Sequence, residues 1–271
     1  MISKNQLKYI RQLEQKKYRR REGVFVAEGT KVVGDLIQRY RPEAVFATAD
    51  WQAPAGITPQ LVTDDELRRI SFLQHPQQVL ALFPLPVNCK PSTVNSKPST
   101  VNCKPSTVNS KPSTVNCKPS TVNSDLSLAL DGVQDPGNLG TIIRIADWFG
   151  ISTIICSEDT VDAWNPKVVQ ATMGSIARVN IIYLNLPDFL DTLPADFPVY
   201  GTFLDGDNIY TQELTPNGLI IMGNEGNGIS EAVRRKVNRR LLIPDFHQGP
   251  TADSLNVAIA TAITCSEFRR R

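Results

Sequence analysis

The stretch LSLALDGVQDPGNLGTIIRIADWF, residues 126–149, contains a predicted strand, loop and helix in succession. Residues 126–130 are almost continuously apolar, 135–140 are rich in turn formers, and 141–149 have the apolar spacing of a helix. A nearly continuous apolar strand followed by a helix is typical of a parallel sheet that is covered on both faces. The stretch therefore predicts an α/β fold.

The rest of the C-terminal half continues the same alternation. Apolar runs predict strands at 153–156, 179–184, 199–203, 219–222 and 239–243. Helices are predicted at 165–176, where Pro166 lies near its favoured first position, after Ser230, and from about Ser254. Together these elements predict a parallel-sheet domain over residues 125–271.

The amino-terminal segment is predicted to form a second, smaller α/β domain over residues 1–87. Helical patterns lie at 5–20, 28–39 and from Asp64, and strands are predicted at 24–27, 45–48 and 79–83. The net charge of the chain is only +2, but this segment concentrates basic residues that are opposed locally only by Glu14. Such a stripe can neutralise phosphates, and a solvated helix face explains it equally well. The basic residues are Lys4, Lys8, Arg11, Lys16, Lys17, Arg19, Arg20 and Arg21.

A seven-residue repeat, Cys/Ser-Lys-Pro-Ser-Thr-Val-Asn, dominates the segment 88–124 between the two predicted domains. Each unit has one apolar residue and one proline, so it can form neither a coiled-coil seam nor a continuous helix. The composition predicts an extended, solvated linker. Near-identity of the units favours a recent expansion with a neutral role over a functional site.

Composition argues against several classes of protein. The chain has five cysteines, but no Cys-x-x-Cys pair and no nearby histidine, so no metal site is predicted. No apolar run is long enough to span a bilayer, and the amino terminus is too polar for a secretory signal. We therefore expect a cytoplasmic protein with neither a metal nor a membrane partner.

Three short segments of the C-terminal domain carry residues suited to chemistry. In IMGNEGNG, residues 221–228, glycines follow a strand and precede a helix, where backbone can approach a ligand closely. Their Gly-x-x-Gly-x-Gly spacing, late in the domain, differs from a dinucleotide fingerprint and disfavours a nicotinamide enzyme. A tight loop without a ligand is the structural alternative. Glu225 has little to pack against there and could pair with an arginine.

The other two segments supply that arginine and further polar side chains. Arg144 lies within the first two turns of its predicted helix, away from the apolar face and toward the loop that carries Asn138. In SLNVA, residues 254–258, Ser254 and Asn256 offer a hydroxyl and an amide. An ordinary surface arginine and a simple helix cap at Ser254 are the structural alternatives.

In order, spacing and residue type, these segments resemble the three motifs of the SpoU (TrmH-like) RNA ribose methyltransferases of the SPOUT superfamily. KKYR at 16–19, FVAEG at 25–29, and IS at 70–71 with VLA at 79–81 resemble the substrate-binding domain of that family. The resemblance implies a trefoil-knotted, parallel-sheet methyltransferase domain, preceded by a small α/β RNA-binding domain and working as a homodimer. It implies methyl transfer from S-adenosylmethionine to a ribose 2′-hydroxyl of ribosomal or transfer RNA.

The resemblance also implies roles for individual residues. Arg144 is implied at the ribose hydroxyl and near an RNA phosphate, where arginine's persistent charge favours positioning and charge stabilisation over base catalysis. Which subunit supplies Arg144 stays open. The residues implied to orient Arg144 and the ribose are Asn138, Glu225, Ser254 and Asn256. The residues implied at the cofactor, largely through backbone, are Met222, Gly223, Gly228, Ile243, Pro244 and Leu255.

One segment departs from the family pattern. The loop 245–253 is longer than expected and would lie against the adenosine, and His247 within it is more often incidental than a base. The alternative function is a non-catalytic RNA-binding protein that retains the fold, which the intact polar set disfavours. Binding of S-adenosylmethionine would separate the two, and the sequence identifies neither the RNA nor the nucleotide.

Overall fold

The computed structural model describes residues 1–86, 125–247 and 252–270. The predicted repeat linker at 88–124 lies outside the described residues, as does part of the loop 245–253. None of the helices within the described ranges is long and apolar enough to cross a bilayer. The domain limits proposed from the sequence stay predictions.

Residues 1–86 form a mixed sheet with its helices. The elements in chain order are α1 (Lys4–Gln12), α2 (Lys16–Glu22), β1 (Val24–Glu28), α3 (Thr30–Ile37), β2 (Ala44–Ala47), β3 (Gln60–Leu61), α4 (Asp64–Ile70) and β4 (Val79–Pro84). The four strands lie in the order β1-β4-β2-β3. Strands β2 and β3 are parallel and the other pairs antiparallel. The short β3 was not predicted, because a strand of two residues is too short to show the alternation of apolar and polar residues that marks a strand.

The predicted continuous helix over 5–20 is wrong, because a turn separates α1 from α2. Leu13 in this turn is fully buried. The guanidinium of Arg19 donates to the carbonyls of Leu13 and Glu14 at 2.7 and 2.6 Å, so a side chain takes up the backbone acceptors of the turn. Arg19 is only 1% exposed and therefore does not belong to the basic surface in which the charge pattern placed it.

Residues 125–270 form a parallel α/β layer structure. Its elements are β5 (Leu126–Leu130), α5 (Pro136–Trp148), β6 (Thr153–Ser157), α6 (Pro166–Ala171), β7 (Asn180–Leu184), α7 (Leu186–Asp191), β8 (Val199–Asn208), β9 (Gly218–Met222), α8 (Glu231–Arg234), β10 (Arg239–Leu242) and α9 (Val257–Arg269). The six strands are ordered β10-β8-β9-β5-β6-β7 and every pair is parallel. The prediction of a parallel-sheet α/β fold is confirmed.

Helix α5 begins earlier than predicted. Residues 136–140, expected as loop, are its first turns, because Asp135 accepts a hydrogen bond from the Asn138 amide at 2.8 Å and Pro136 occupies the first position. Gly140 allows close packing of α5 on α6, since a Cβ there would lie 2.3 Å from that of Ala171. The turn-forming residues of this stretch therefore belong to the N-terminal cap and first turns of α5, and not to a loop before it.

Other elements differ at their limits. The helix predicted over 165–176 ends at Ala171, because Met173 and Gly174 adopt φ of 51° and 97°, and a 3₁₀ turn at Ser175–Ala177 follows. Strand β8 extends to Asn208, five residues beyond the predicted end. The short α7 was missed. The helices predicted from Glu28 and Ser254 start at Thr30 and Val257.

The two parts of the chain share one hydrophobic core. Buried residues of β1, β4 and α3 belong to the same cluster as those of β5, α5 and β6. At the junction the rings of Phe25 and Trp164 have centroids 4.7 Å apart. Arg178 pairs with both Asp35 and Asp147, at 3.2 and 2.8 Å. The small sheet is thus packed directly against the large one.

Candidate active site

The site lies beyond the carboxyl ends of neighbouring parallel strands. Strands β5 and β9 pair along their length, so the segments that follow Leu130 and Met222 leave the sheet at the same edge. Asn224 fixes these two segments to each other, because its Nδ2 donates to the Gly132 carbonyl at 2.6 Å. Its Oδ1 accepts from the amides of Gly226 and Asn227 at 2.9 and 3.0 Å. The glycine-rich loop is therefore a rigid turn with its own internal hydrogen bonds.

Glu225 joins this loop to the start of α5. Its carboxylate accepts from the backbone amides of Gln134 and Asp135 at 3.3 and 3.2 Å, and from Asn138 Nδ2 at 3.0 Å. Burial alone would raise the pKa of Glu225, but these hydrogen bonds outweigh it and hold the pKa below its usual value. The group is therefore an ionised acceptor, which is unsuited to donate a proton at neutral pH.

A second hydrogen bond links Asn138 to the start of α9. Its Oδ1 accepts from Asn256 Nδ2 at 3.0 Å, while Asn256 Oδ1 caps α9 by accepting from the amides of Ala258 and Ile259 at 2.9 and 3.3 Å. The proposed cap at Ser254 is wrong, since Asn256 occupies that position. Glu225, Asn138 and Asn256 thus form one hydrogen-bonded chain, called here the amide relay, that links all three sequence segments.

Arg144 lies on α5 outside the amide relay. Its side chain is exposed, and no hydrogen bond or ion pair to it is seen among the described residues. The suggested pairing with Glu225 is absent there, because backbone and asparagine amides occupy that carboxylate. Trp148, one turn further along α5, is 84% exposed. The exposed face of α5 therefore carries both a cation and a large aromatic side chain.

A cavity of about 560 Å³ opens between the middle of β8, the ends of β9 and β10 and the start of α9. Five of the residues proposed to contact a cofactor line it, namely Met222, Gly223, Gly228, Ile243 and Leu255. Glu225 and Ser254 line it too, whereas Pro244, Asn138, Asn256 and Arg144 are not among the described lining residues. The volume is that of a typical small-molecule site.

Sequence reasoning missed one wall of this cavity. Thr202, Phe203, Leu204 and Asp205 of β8 line it, together with Arg234 of α8. Asp205 accepts from Arg234 at 2.7 Å and also from Arg240, and both guanidinium groups lie 4.7 Å from the Phe203 ring centroid. The available signal was the position of these residues at the carboxyl end of a predicted parallel strand.

No group of His, Cys, Asp and Glu suited to a metal ion occurs within residues 1–86, 125–247 and 252–270. His247 is exposed, and its backbone amide donates to Asp245 at 2.7 Å. The chemistry open to the described site is therefore that of amides, of the carboxylates of Glu225 and Asp205, of the guanidinium groups of Arg234 in the wall and Arg144 nearby, and of the apolar parts of the cavity.

Comparison with known proteins gives two family matches. Residues 125–266 match the SpoU rRNA Methylase family, and residues 4–81 match the MRM3-like substrate binding domain. Among curated relatives, a 23S rRNA (guanosine(2553)-2′-O)-methyltransferase from Bacillus subtilis is 29% identical over 98% of this chain and 97% of its own length. A 23S rRNA (guanosine-2′-O-)-methyltransferase from Neisseria meningitidis is 30% identical over 54% of this chain and 58% of its own length.

Solved structures match over the whole chain. A protein from Porphyromonas gingivalis, assigned to the TrmH family of RNA methyltransferases, superimposes with a TM-score of 0.80 and 38% identity over 100% of this chain and 99% of its own. An AdoMet-bound rRNA methyltransferase from Sinorhizobium meliloti has a TM-score of 0.77 and 30% identity, with coverage of 100% and 97%. Both the fold and its combination with an amino-terminal unit therefore occur in solved structures.

Proposed function

Since this chain belongs to the SpoU rRNA methylase family, we propose that it methylates a ribose 2′-hydroxyl of ribosomal RNA with S-adenosylmethionine as methyl donor. Support for 23S rRNA as the substrate comes from the Bacillus relative, whose name gives that RNA and whose match spans nearly all of both chains. Transfer RNA is the alternative substrate, and a non-catalytic RNA-binding protein is the alternative function.

The observation that carries the proposal is the amide relay beside the cavity. It ties the three segments together through hydrogen bonds of 3.0 Å on either side of Asn138. An RNA-binding protein without catalysis would have no need to fix an asparagine amide between an ionised carboxylate and a helix cap. The amide relay therefore favours a catalytic function over RNA binding without catalysis.

The cavity residues fit S-adenosylmethionine. Met222, Ile243 and Leu255 offer apolar walls, and the backbone of residues 223–228 offers polar groups next to them. When bound, the cofactor supplies an activated sulfonium methyl group. The residues of this chain would hold it, orient the ribose and exclude part of the solvent.

Arg144 acts in this proposal as an electrostatic clamp for the RNA. Arginine keeps its charge in proteins and recognises phosphate well. Asn138 and Asn256 do not titrate near neutral pH, and Glu225 is already ionised, so the relay orients groups rather than exchanging protons. The hydroxyl proton would pass to water as the oxygen takes the methyl group, and the catalytic effect comes from alignment of the hydroxyl oxygen with the methyl group and from charge stabilisation.

We further propose a homodimer built on α5 and α9. Trp148 is 84% and Ile259 53% exposed, and both lie on these two helices, which contact each other through Arg269 and the carbonyls of Phe149 and Gly150. Large exposed apolar side chains favour an interface. Arg144 shares this face, so one subunit's Arg144 would approach its partner's cavity. The trefoil knot remains an expectation from the family, and a cytoplasmic location remains an expectation from the composition of the sequence.

Methyl transfer from labelled S-adenosylmethionine to unmodified 23S rRNA tests the proposed function. We expect label in a 2′-O-methyl nucleotide with the wild type, and a loss of about a hundredfold with Arg144→Ala, because a removed electrostatic partner costs that much in comparable sites. Cofactor affinity should not change. Arg41→Ala, which removes another exposed arginine, is the control. Cofactor binding without transfer to ribosomal or transfer RNA would favour the non-catalytic alternative.

A further inference from the structure

Helix α2 has basic residues on its exposed side and one buried arginine on the opposite side. Lys17, Arg20 and Arg21 are exposed, whereas Arg19 between them is only 1% exposed. Arg21 already pairs with Glu22 at 2.7 Å, but no ion pair to Lys17 or Arg20 is found in the described part of the chain. Lys17 and Arg20 are thus cations held on a helix surface without an acidic partner there, which suits them to phosphate groups.

Arg19 ties α2 to the methyltransferase part. Its Nε donates to Asp162 Oδ2 at 3.2 Å, Nη2 donates to the same oxygen, and Nη1 donates to the Leu13 and Glu14 carbonyls. Burying a charge is expensive unless it is paired and its donors are satisfied. Here all three guanidinium nitrogens have acceptors, so this ion pair is a defined connection rather than a surface contact.

The connection continues from Asp162 to the candidate active site. Val161, the preceding residue, donates its amide to the Val133 carbonyl at 2.9 Å. The next residue after Val133 is Gln134, whose amide is bonded to Glu225 of the amide relay. A short series of direct contacts therefore joins the buried side of α2 to the start of α5, which carries Asn138.

We infer that the exposed face of α2, formed by Lys17 and Arg20, docks the phosphate backbone of the substrate RNA, and that the Arg19–Asp162 ion pair fixes this docking surface relative to the amide relay. RNA held by α2 is thereby presented at a set distance from the site of methyl transfer. Arg19 is a positioning residue, since it touches neither the RNA nor the cavity. The inference rests on the proposed function.

The docking surface is tested with full-length protein and an unmodified 23S rRNA transcript. Lys17→Ala/Arg20→Ala should weaken RNA binding and reduce the slope of log K against log salt by about 1.4, two contacts at about 0.7 each. Arg68→Ala/Arg69→Ala removes the same charge from the exposed surface of α4 and should leave both unchanged. Equal slopes for the two double variants would overturn the docking surface.

The positioning role predicts a different kinetic signature. Arg19→Met alone leaves Asp162 without its partner and can unfold the chain, so Arg19→Met/Asp162→Leu, which replaces both charges, is the decisive variant. It should bind the transcript with wild-type affinity and salt slope, and bind cofactor normally, while kcat falls about tenfold because alignment is lost. A wild-type kcat in this folded double variant would refute the positioning role.

Failure of the inference is distinguishable from failure of the proposed function. If the wild type methylates no RNA, the proposed function falls. If it methylates 23S rRNA and neither Lys17→Ala/Arg20→Ala nor Arg19→Met/Asp162→Leu differs from it, only the inference falls.

Discussion

Substitutions at Asn256 should separate stability from activity. Asn256 has two roles through two different atoms: Oδ1 caps α9 and Nδ2 donates to Asn138. Asn256→Asp keeps the capping oxygen and adds a negative charge that the helix N-terminus favours. The same change replaces the donor to Asn138 by a second acceptor. Asn256→Ala removes both functions.

The expected magnitudes follow from these two hydrogen-bonding roles. Loss of the cap in Asn256→Ala costs about 1 kcal/mol of unfolding free energy, which lowers Tm by about 2–4 °C for a chain of this size. Asn256→Asp should keep Tm near the wild-type value. Both variants lose the donor to Asn138, and a lost hydrogen bond of about 1–1.5 kcal/mol at the transition state lowers kcat about tenfold.

Asn138 cannot compensate by turning its amide over. Its Nδ2 donates to the ionised Glu225 at 3.0 Å, and a flip would place its oxygen against a carboxylate that can only accept. The assay is single-turnover methyl transfer at saturating cofactor, with thermal unfolding of the same samples. Full activity in Asn256→Asp, or a Tm as low as in Asn256→Ala, would refute the assignment of the two roles.

Three further predictions concern the loop, the carboxylate and the dimer. Gly223→Ala should lower the free energy of unfolding by about 1–3 kcal/mol, because the added Cβ would lie 2.3 Å from the Gly228 carbonyl carbon. The same variant should no longer bind the cofactor in calorimetry. Gly226→Ala, whose Cβ would have its nearest neighbour 3.7 Å away, is the tolerated control. The folded state holds the pKa of Glu225 below its unfolded value, so its stabilisation is complete above the unfolded pKa and is lost as pH falls through the folded pKa. Glu225→Gln should therefore flatten the acidic limb of a Tm-against-pH profile, and an unchanged limb would contradict this. Trp148→Glu should convert the dimer to monomer in sedimentation, whereas Leu61→Glu, at another exposed apolar residue, should not; a monomeric wild type would remove the dimer proposal.

The order of elements in the parallel domain was predictable because its strands are buried on both faces. Strands such as β5 and β9 are buried along their whole length and almost continuously apolar, and turn-forming residues mark their ends. Residues at the carboxyl ends of these strands had to meet at one edge of the sheet, so Gly223 and Asn138 could be placed in the same site before any coordinates. Elements too short to show a period, such as β3 and α7, could not be predicted.

The partners of individual side chains were not predictable in this way. Glu225 was expected to meet an arginine, yet amides from three residues occupy it, and this choice depends on where α5 begins. Arg19 was counted as surface charge, but it is the one residue of α2 that is buried. Charge and spacing identify which residues can act, but the direction of a side chain depends on the tertiary packing around its helix.

The structural and functional roles of the polar residues are therefore not alternatives at this site. Asp135 and Asn256 cap helices α5 and α9, and Glu225 fastens the β9 loop to the start of α5. Each of these roles would exist in a protein without activity. Asn138 differs, because its side-chain amide is oriented from both sides. Its Nδ2 faces the Glu225 carboxylate, which can only accept a hydrogen bond, and its Oδ1 faces the Nδ2 of Asn256, whose own oxygen already caps α9. The orientation of Asn138 is the part of the arrangement that stability does not require, and it is where a substitution should cost activity first.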